Sequence, residues 1–130
     1  MNIKEYCQLI VMEIDKMYMN LKIIENCYDD NKVEITNPRE KFNIIFKASD
    51  NALSIINEAD FFTFTSEEYT VLLKLRLTEI NSITKIILLS LKSPQNDIIN
   101  CYEDITQVLI KIAKITKDYI NNISCEYTEK

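Results

Sequence analysis

The chain contains no glycine and no histidine, and each absence closes off chemistry. Without glycine no residue reaches positive φ free of steric cost, so neither a glycine-rich phosphate loop nor a G-x-S-x-G nucleophile elbow can be built. Without histidine the chain lacks the commonest general base, the commonest transition-metal ligand and every E-x-x-H di-iron arrangement. The carboxylate motifs with which helical hydrolases hold Mg²⁺ are equally thin. E-x-x-E occurs only at Glu126 and Glu129, near the end of the chain, and neither E-x-x-D nor D-x-x-D occurs at all. Spacing nominates no nucleophile–base pair. The expectation is a protein that is not an enzyme, with no cofactor and no resident metal.

Long apolar runs are missing too. Stretches such as Ile86-Ile87-Leu88-Leu89 fall far short of a membrane span. The start, Met1-Asn2-Ile3-Lys4-Glu5-Tyr6, is polar and amphipathic rather than a charged segment leading into an apolar one. A soluble, cytoplasmic protein with no membrane partner is expected. The net charge of −5 is spread along the chain, and no segment is basic enough for a nucleic-acid footprint. Arginine occurs twice against 13 lysines, 22 isoleucines and 13 asparagines. That bias fits A+T-rich codons, as in a low-GC bacterium, its phages and mobile elements, or an A+T-rich virus or parasite.

What is present is helical periodicity. With 47% apolar and 27% charged residues, 130 residues suit one globular domain around one core, spanning 1–130. Ile3, Cys7, Ile10, Ile14, Met17, Leu21, Ile24 and Tyr28 step alternately by four and three. They predict a first helix over 2–29 with one seam to bury. Asp29-Asp30-Asn31-Lys32 reads as a turn, and Val33-Glu34-Ile35-Thr36 as a short connector. Asn37 as N-cap, Pro38 in the first helical position and Glu40 in capping-box position open a second helix over 38–59. Its stripe is Phe42, Ile45, Ser49, Ala52, Ile56 and Ala59. Thr65-Ser66-Glu67-Glu68 opens a third helix, 66–92, with the stripe Tyr69, Leu73, Leu77, Ile80, Ile83, Ile87 and Leu91. Leu72, Leu75, Ile86 and Leu88 widen that stripe, which suggests several neighbours or a surface left for a partner. Ser93-Pro94 opens a fourth helix, 94–124, whose stripe reads Ile98, Cys101, Ile105, Val108, Ile112, Ile115 and Tyr119. Short links make consecutive helices antiparallel, so the expected fold is all-α, an up-down-up-down four-helix bundle.

Four features are candidates for function. Phe61, Phe62 and Phe64 crowd the second connection, where aromatic residues either plug the end of a bundle or bind a partner. Arg76 sits between Leu75 and Leu77, three residues from Glu79. An intrahelical ion pair is the first expectation for it, and an anchor for a partner the second. Lys111, Lys114 and Lys117 form a short basic strip, expected to be a solvated face and only secondarily a phosphate contact. Cys7, Cys27, Cys101 and Cys125 include no C-x-x-C pair. The bundle would bring Cys7 towards Cys125 and Cys27 towards Cys101, but reduced thiols acting as small apolar packers are the first expectation. Together these features point to a non-enzymatic protein-binding module, an adaptor, inhibitor or immunity-type protein whose partner is another protein. A homodimer is an alternative partner arrangement. The alternative function is that of a small subunit of a nucleoprotein complex touching phosphate through the fourth-helix lysines.

Overall fold

The structure, a computed structural model, describes residues 2–29, 38–58, 67–91 and 99–128, with side chains for 2–26, 39–58, 68–91 and 103–125. It consists of helices α1 (Ile3–Asp29), α2 (Pro38–Glu58), α3 (Glu67–Ser90) and α4 (Ile99–Thr128), with no strand among the described residues. Each helix packs on two others. α1 lies against α2 and α4, and α3 lies against the same two, so α1 and α3 are diagonal to one another in a four-helix bundle.

Local signals explain where the helices start. The Asn2 side-chain carbonyl accepts the Glu5 backbone N–H at 2.9 Å, which makes Asn2 an N-cap that the sequence pattern did not single out. α2 begins at Pro38 as expected, because proline presets the helical φ and its missing N–H would have been unpaired there anyway. The expected turn at Asp30–Lys32, the connector Val33–Thr36, the caps Asn37, Thr65 and Ser93-Pro94, and the positions Ala59 and Ile98 lie outside the described residues. α4 runs through Thr128, beyond the end expected at Ser124.

The core follows the seam of α1 closely: Cys7, Ile10, Ile14, Met17, Leu21 and Ile24 are all buried. Phe42, Ile45, Ser49, Ala52 and Ile56 of α2 meet them, joined by Ala48. Ser49 is tolerated at this depth because its hydroxyl donates to the Phe46 carbonyl at 2.6 Å and accepts from Asn81 Nδ2 at 2.9 Å. Asn81 also donates to Asp50 at 2.8 Å, so one α3 amide bridges two neighbouring α2 residues.

The inner face of α4 differs from the expected one, and the difference is systematic. Thr106, Leu109, Ala113, Thr116 and Ile120 are buried where the stripe Ile105, Val108, Ile112, Ile115 and Tyr119 was expected. Each buried residue stands one position further along the chain, so the helix is turned about 100° from the reading. On α3 the same substitution occurs at two points, where Thr70 and Thr84 are buried in place of Tyr69 and Ile83. The physical reason is visible at Thr84 and Thr116. Their hydroxyls donate to the carbonyls of Ile80 and Ile112, four residues back, at 2.7 and 2.6 Å. A threonine so paired presents only its methyl group to the core, and it is small enough to bring helix axes close. Counting it as polar misplaces the face.

The orientation of α4 has a direct test. Ala113→Leu should destabilise the fold by about 1–3 kcal/mol through overpacking, whereas Ile115→Ser should change stability by less than about 1 kcal/mol. Urea unfolding followed by circular dichroism reads both, and the reverse ranking would restore the expected face.

Candidate partner-binding surface

α3 is apolar on two sides. Leu73, Leu77, Ile80 and Ile87 face the core. Val71, Leu75, Ile86 and Leu89 face the opposite way, 47%, 47%, 63% and 57% exposed. Positions 71, 75, 78, 82, 86 and 89 fall on one straight line along a helix of 3.6 residues per turn. That line reads Val, Leu, Thr, Ser, Ile, Leu, with no charge in it. The turned α4 adds Val108 and Ile115, 49% and 40% exposed, beside the α3–α4 seam. Diagonally opposite, α1 exposes Met12, Met19 and Ile23, but the charged Lys16 interrupts that line.

Arg76 occupies the α3–α4 seam. Its Nη1 donates to both carboxylate oxygens of Glu79, at 2.7 and 2.9 Å, so the expected intrahelical ion pair is present. That hydrogen bond to Glu79, with its charge and the Tyr119 hydroxyl, pushes the guanidinium further towards its charged form. Arg76 Nε is shielded from solvent and has no hydrogen-bond partner. The Tyr119 ring lies 6.4 Å from that of Tyr69, centre to centre and tilted by 47°. An arginine and two tyrosines flanked by Leu72 and Leu75 have the composition of interface hot spots. Phe61, Phe62 and Phe64, the other candidates for partner contact, lie outside the described residues.

The α4 lysines do not stand in one row. Successive steps of three residues turn them around the helix towards α1. Lys117 Nζ pairs with Asp15 at 2.8 Å, Lys114 Nζ stands 6.0 Å above the Tyr18 ring, and Lys111 is exposed. Gln107 Nε2 adds a 2.7 Å hydrogen bond to Glu25. In each of these three α1–α4 pairs the two residue numbers add to the same total, which fixes the antiparallel register. Glu25 is held below the usual carboxylate range, first by its hydrogen bond from Lys22 and then by that from Gln107.

Cys7 and Cys125 share that total and therefore the same level of the bundle, yet both are free thiols. Cys7 is buried in the core and Cys125 is exposed. Burial pushes the Cys7 thiol up to about 11. The side chains of Cys27 and Cys101 lie outside those described. Among the described residues no group of three His, Cys, Asp or Glu side chains could hold a metal ion, and no helix is long and apolar enough to cross a membrane. The chain matches no family model, no curated protein and no solved structure. The surface has to be read from its own residues.

Two measurements follow. In a variant with Cys27 and Cys101 replaced by serine, Cys125 should react with a thiol reagent at once and Cys7 only on unfolding. Equal rates in the native protein would contradict the burial of Cys7. The second concerns acid. A carboxylate with a lowered folded pKa stabilises the fold fully above its unfolded value, near 4.5, and loses that contribution as pH falls through the folded value. Glu25→Gln should therefore lower the unfolding midpoint near neutral pH, and the gap to wild type should close as the pH falls from 4.5 through the lowered folded-state value. A gap independent of pH would show that the Glu25 charge does not matter.

Proposed function

We propose that this chain is a non-catalytic, helical protein-binding module of the adaptor, inhibitor or immunity type. It would work by masking or bridging a partner protein through the outer face of α3. The observation that carries the reading is the uncharged line Val71, Leu75, Thr78, Ser82, Ile86, Leu89 on the side of α3 turned away from the core. A helix that is apolar on two sides is ordinarily covered on both. Single exposed leucines are commonplace, but apolar residues gathered on one face mark sites of interaction. Val108 and Ile115 extend the face onto α4, and Arg76, Tyr69 and Tyr119 supply polar anchors along its seam.

The competing idea, a nucleoprotein subunit that uses Lys111, Lys114 and Lys117, loses force because α1 engages two of the three. A non-enzymatic role accords with the missing histidine and glycine.

The test is site-specific photocrosslinking in the native host. Benzoylphenylalanine placed at Leu75 or Ile86 should give a discrete adduct with another protein, and the same probe at Asn51, an exposed α2 position, should give none. Adducts that are equal at all three positions, or absent from a folded and expressed protein, would overturn the proposal.

A further inference from the structure

Beyond the Asn81 bridge, α2 and α3 leave an open groove of about 470 Å³ between the first turns of α2 and the last turns of α3. Phe46 and Leu88, both half-buried, form its apolar floor, and the exposed Leu89 forms its lip. Leu89 belongs to the outer line of α3, so the groove adjoins the C-terminal end of that line. Two exposed cations flank the floor, Arg39 from α2 and Lys85 from α3, against a single carboxylate, Glu40. The N-terminus of α2 and the C-terminus of α3 open at the same end, so their dipoles offset one another and the two side-chain cations set the sign. On a chain of net charge −5 this is a local reversal of sign.

We propose that this groove takes an acidic amphipathic helix of a partner protein. Its apolar side chains would lie on Phe46, Leu88 and Leu89, and its flanking carboxylates would meet Arg39 and Lys85. The inference rests on the binding-module reading and adds the chemistry of the partner. The volume suits a few side chains, and the groove is open rather than enclosed, which fits a helix laid against it better than a buried small molecule. Charge argues against a second copy of this chain as the occupant. A two-fold axis through the middle of α3 would set Val71 against the second copy's Leu89, and Leu75 against its Ile86. The same axis would bring Lys85 towards another basic residue, the second copy's Lys74, while Glu79 is already held by Arg76 and offers no free carboxylate. A helix carrying acids on the flank that faces Arg39 and Lys85 avoids this conflict.

The experiment uses the full chain and two dye-labelled synthetic peptides about four turns long. Both carry leucines at helical spacing, and one has glutamates and the other lysines on the flanks. In fluorescence anisotropy the glutamate peptide should bind, more weakly at higher salt, and the lysine peptide should not. The double variant Arg39→Glu, Lys85→Glu should lose at least about tenfold in affinity for the glutamate peptide and gain binding of the lysine peptide. Both replaced residues are exposed, and circular dichroism should confirm an unchanged fold. Equal binding of the two peptides would overturn the proposal, as would a double variant unchanged towards the glutamate peptide or no binding of either peptide. A dimer in sedimentation that Leu89→Ser dissociates would also overturn it, in favour of a second copy. If the peptides fail while the Ile86 crosslink persists, the acidic chemistry is refuted and the binding-module reading stands. If both fail, that reading falls as well.

Discussion

Thr116 turns its hydroxyl onto the Ile112 carbonyl, 2.6 Å away, and the arrangement of α4 follows from contacts of this kind. A threonine that satisfies its own hydroxyl within the helix can face a core at little cost, and its small volume lets a neighbouring helix approach. With Thr106, Ala113 and Thr116 turned inward, Ile105, Ile112 and Tyr119 move to the edge of the core, and Val108 and Ile115 move out to solvent. The same rotation brings Gln107, Lys114 and Lys117 round to α1, where they meet Glu25, Tyr18 and Asp15. One placement of small side chains thus sets the core, the α1–α4 register and the exposed apolar residues of α4 together.

The parts of the fold that could be read from residues are those in which one stripe outweighs its rivals. α1 has a single strict seam, and its buried residues from Cys7 to Ile24 match it even though Met12, Met19 and Ile23 are exposed elsewhere on the helix. α2 was legible through Pro38 at its start and through small residues that continue the stripe. α4 offered two stripes one position apart, one richer in isoleucine and the other holding threonine and alanine. Hydropathy favours the first, but packing uses the second, because shape and local hydrogen bonding decide which side chains can fill the space between close helices. The Asn2 cap has a simpler signal, an asparagine three residues before Glu5, which the generally polar character of the start obscures.

The candidate surface divides along the same line. The excess width of α3 and the Arg76–Glu79 pair are properties of one helix, so spacing within that helix exposes them. The α2–α3 groove joins residues from two helices, and nothing short of the register between them brings Arg39 and Lys85 to the flanks of one floor. The lysines of α4 show the converse. Their even spacing suggests a strip, yet three-residue steps wind them around the helix and into contact with α1.

Stability alone gives no reason for the outer line of α3. Val71, Leu75, Ile86 and Leu89 touch neither the core nor a neighbouring helix with their outer surfaces, and lysine or glutamate at those positions would serve the helix as well and the solubility better. The two ends of that line are apolar and its centre is small and uncharged, with Thr78 and Ser82 leaving room for a close approach. Apolar residues that contribute little to the fold, in line beside a groove whose lining sets Arg39 and Lys85 against Glu40, are the reason for proposing a protein partner with acidic flanks. The bundle can then be understood as a rigid support on which α3, braced by α2 and α4, is held with its outer face available.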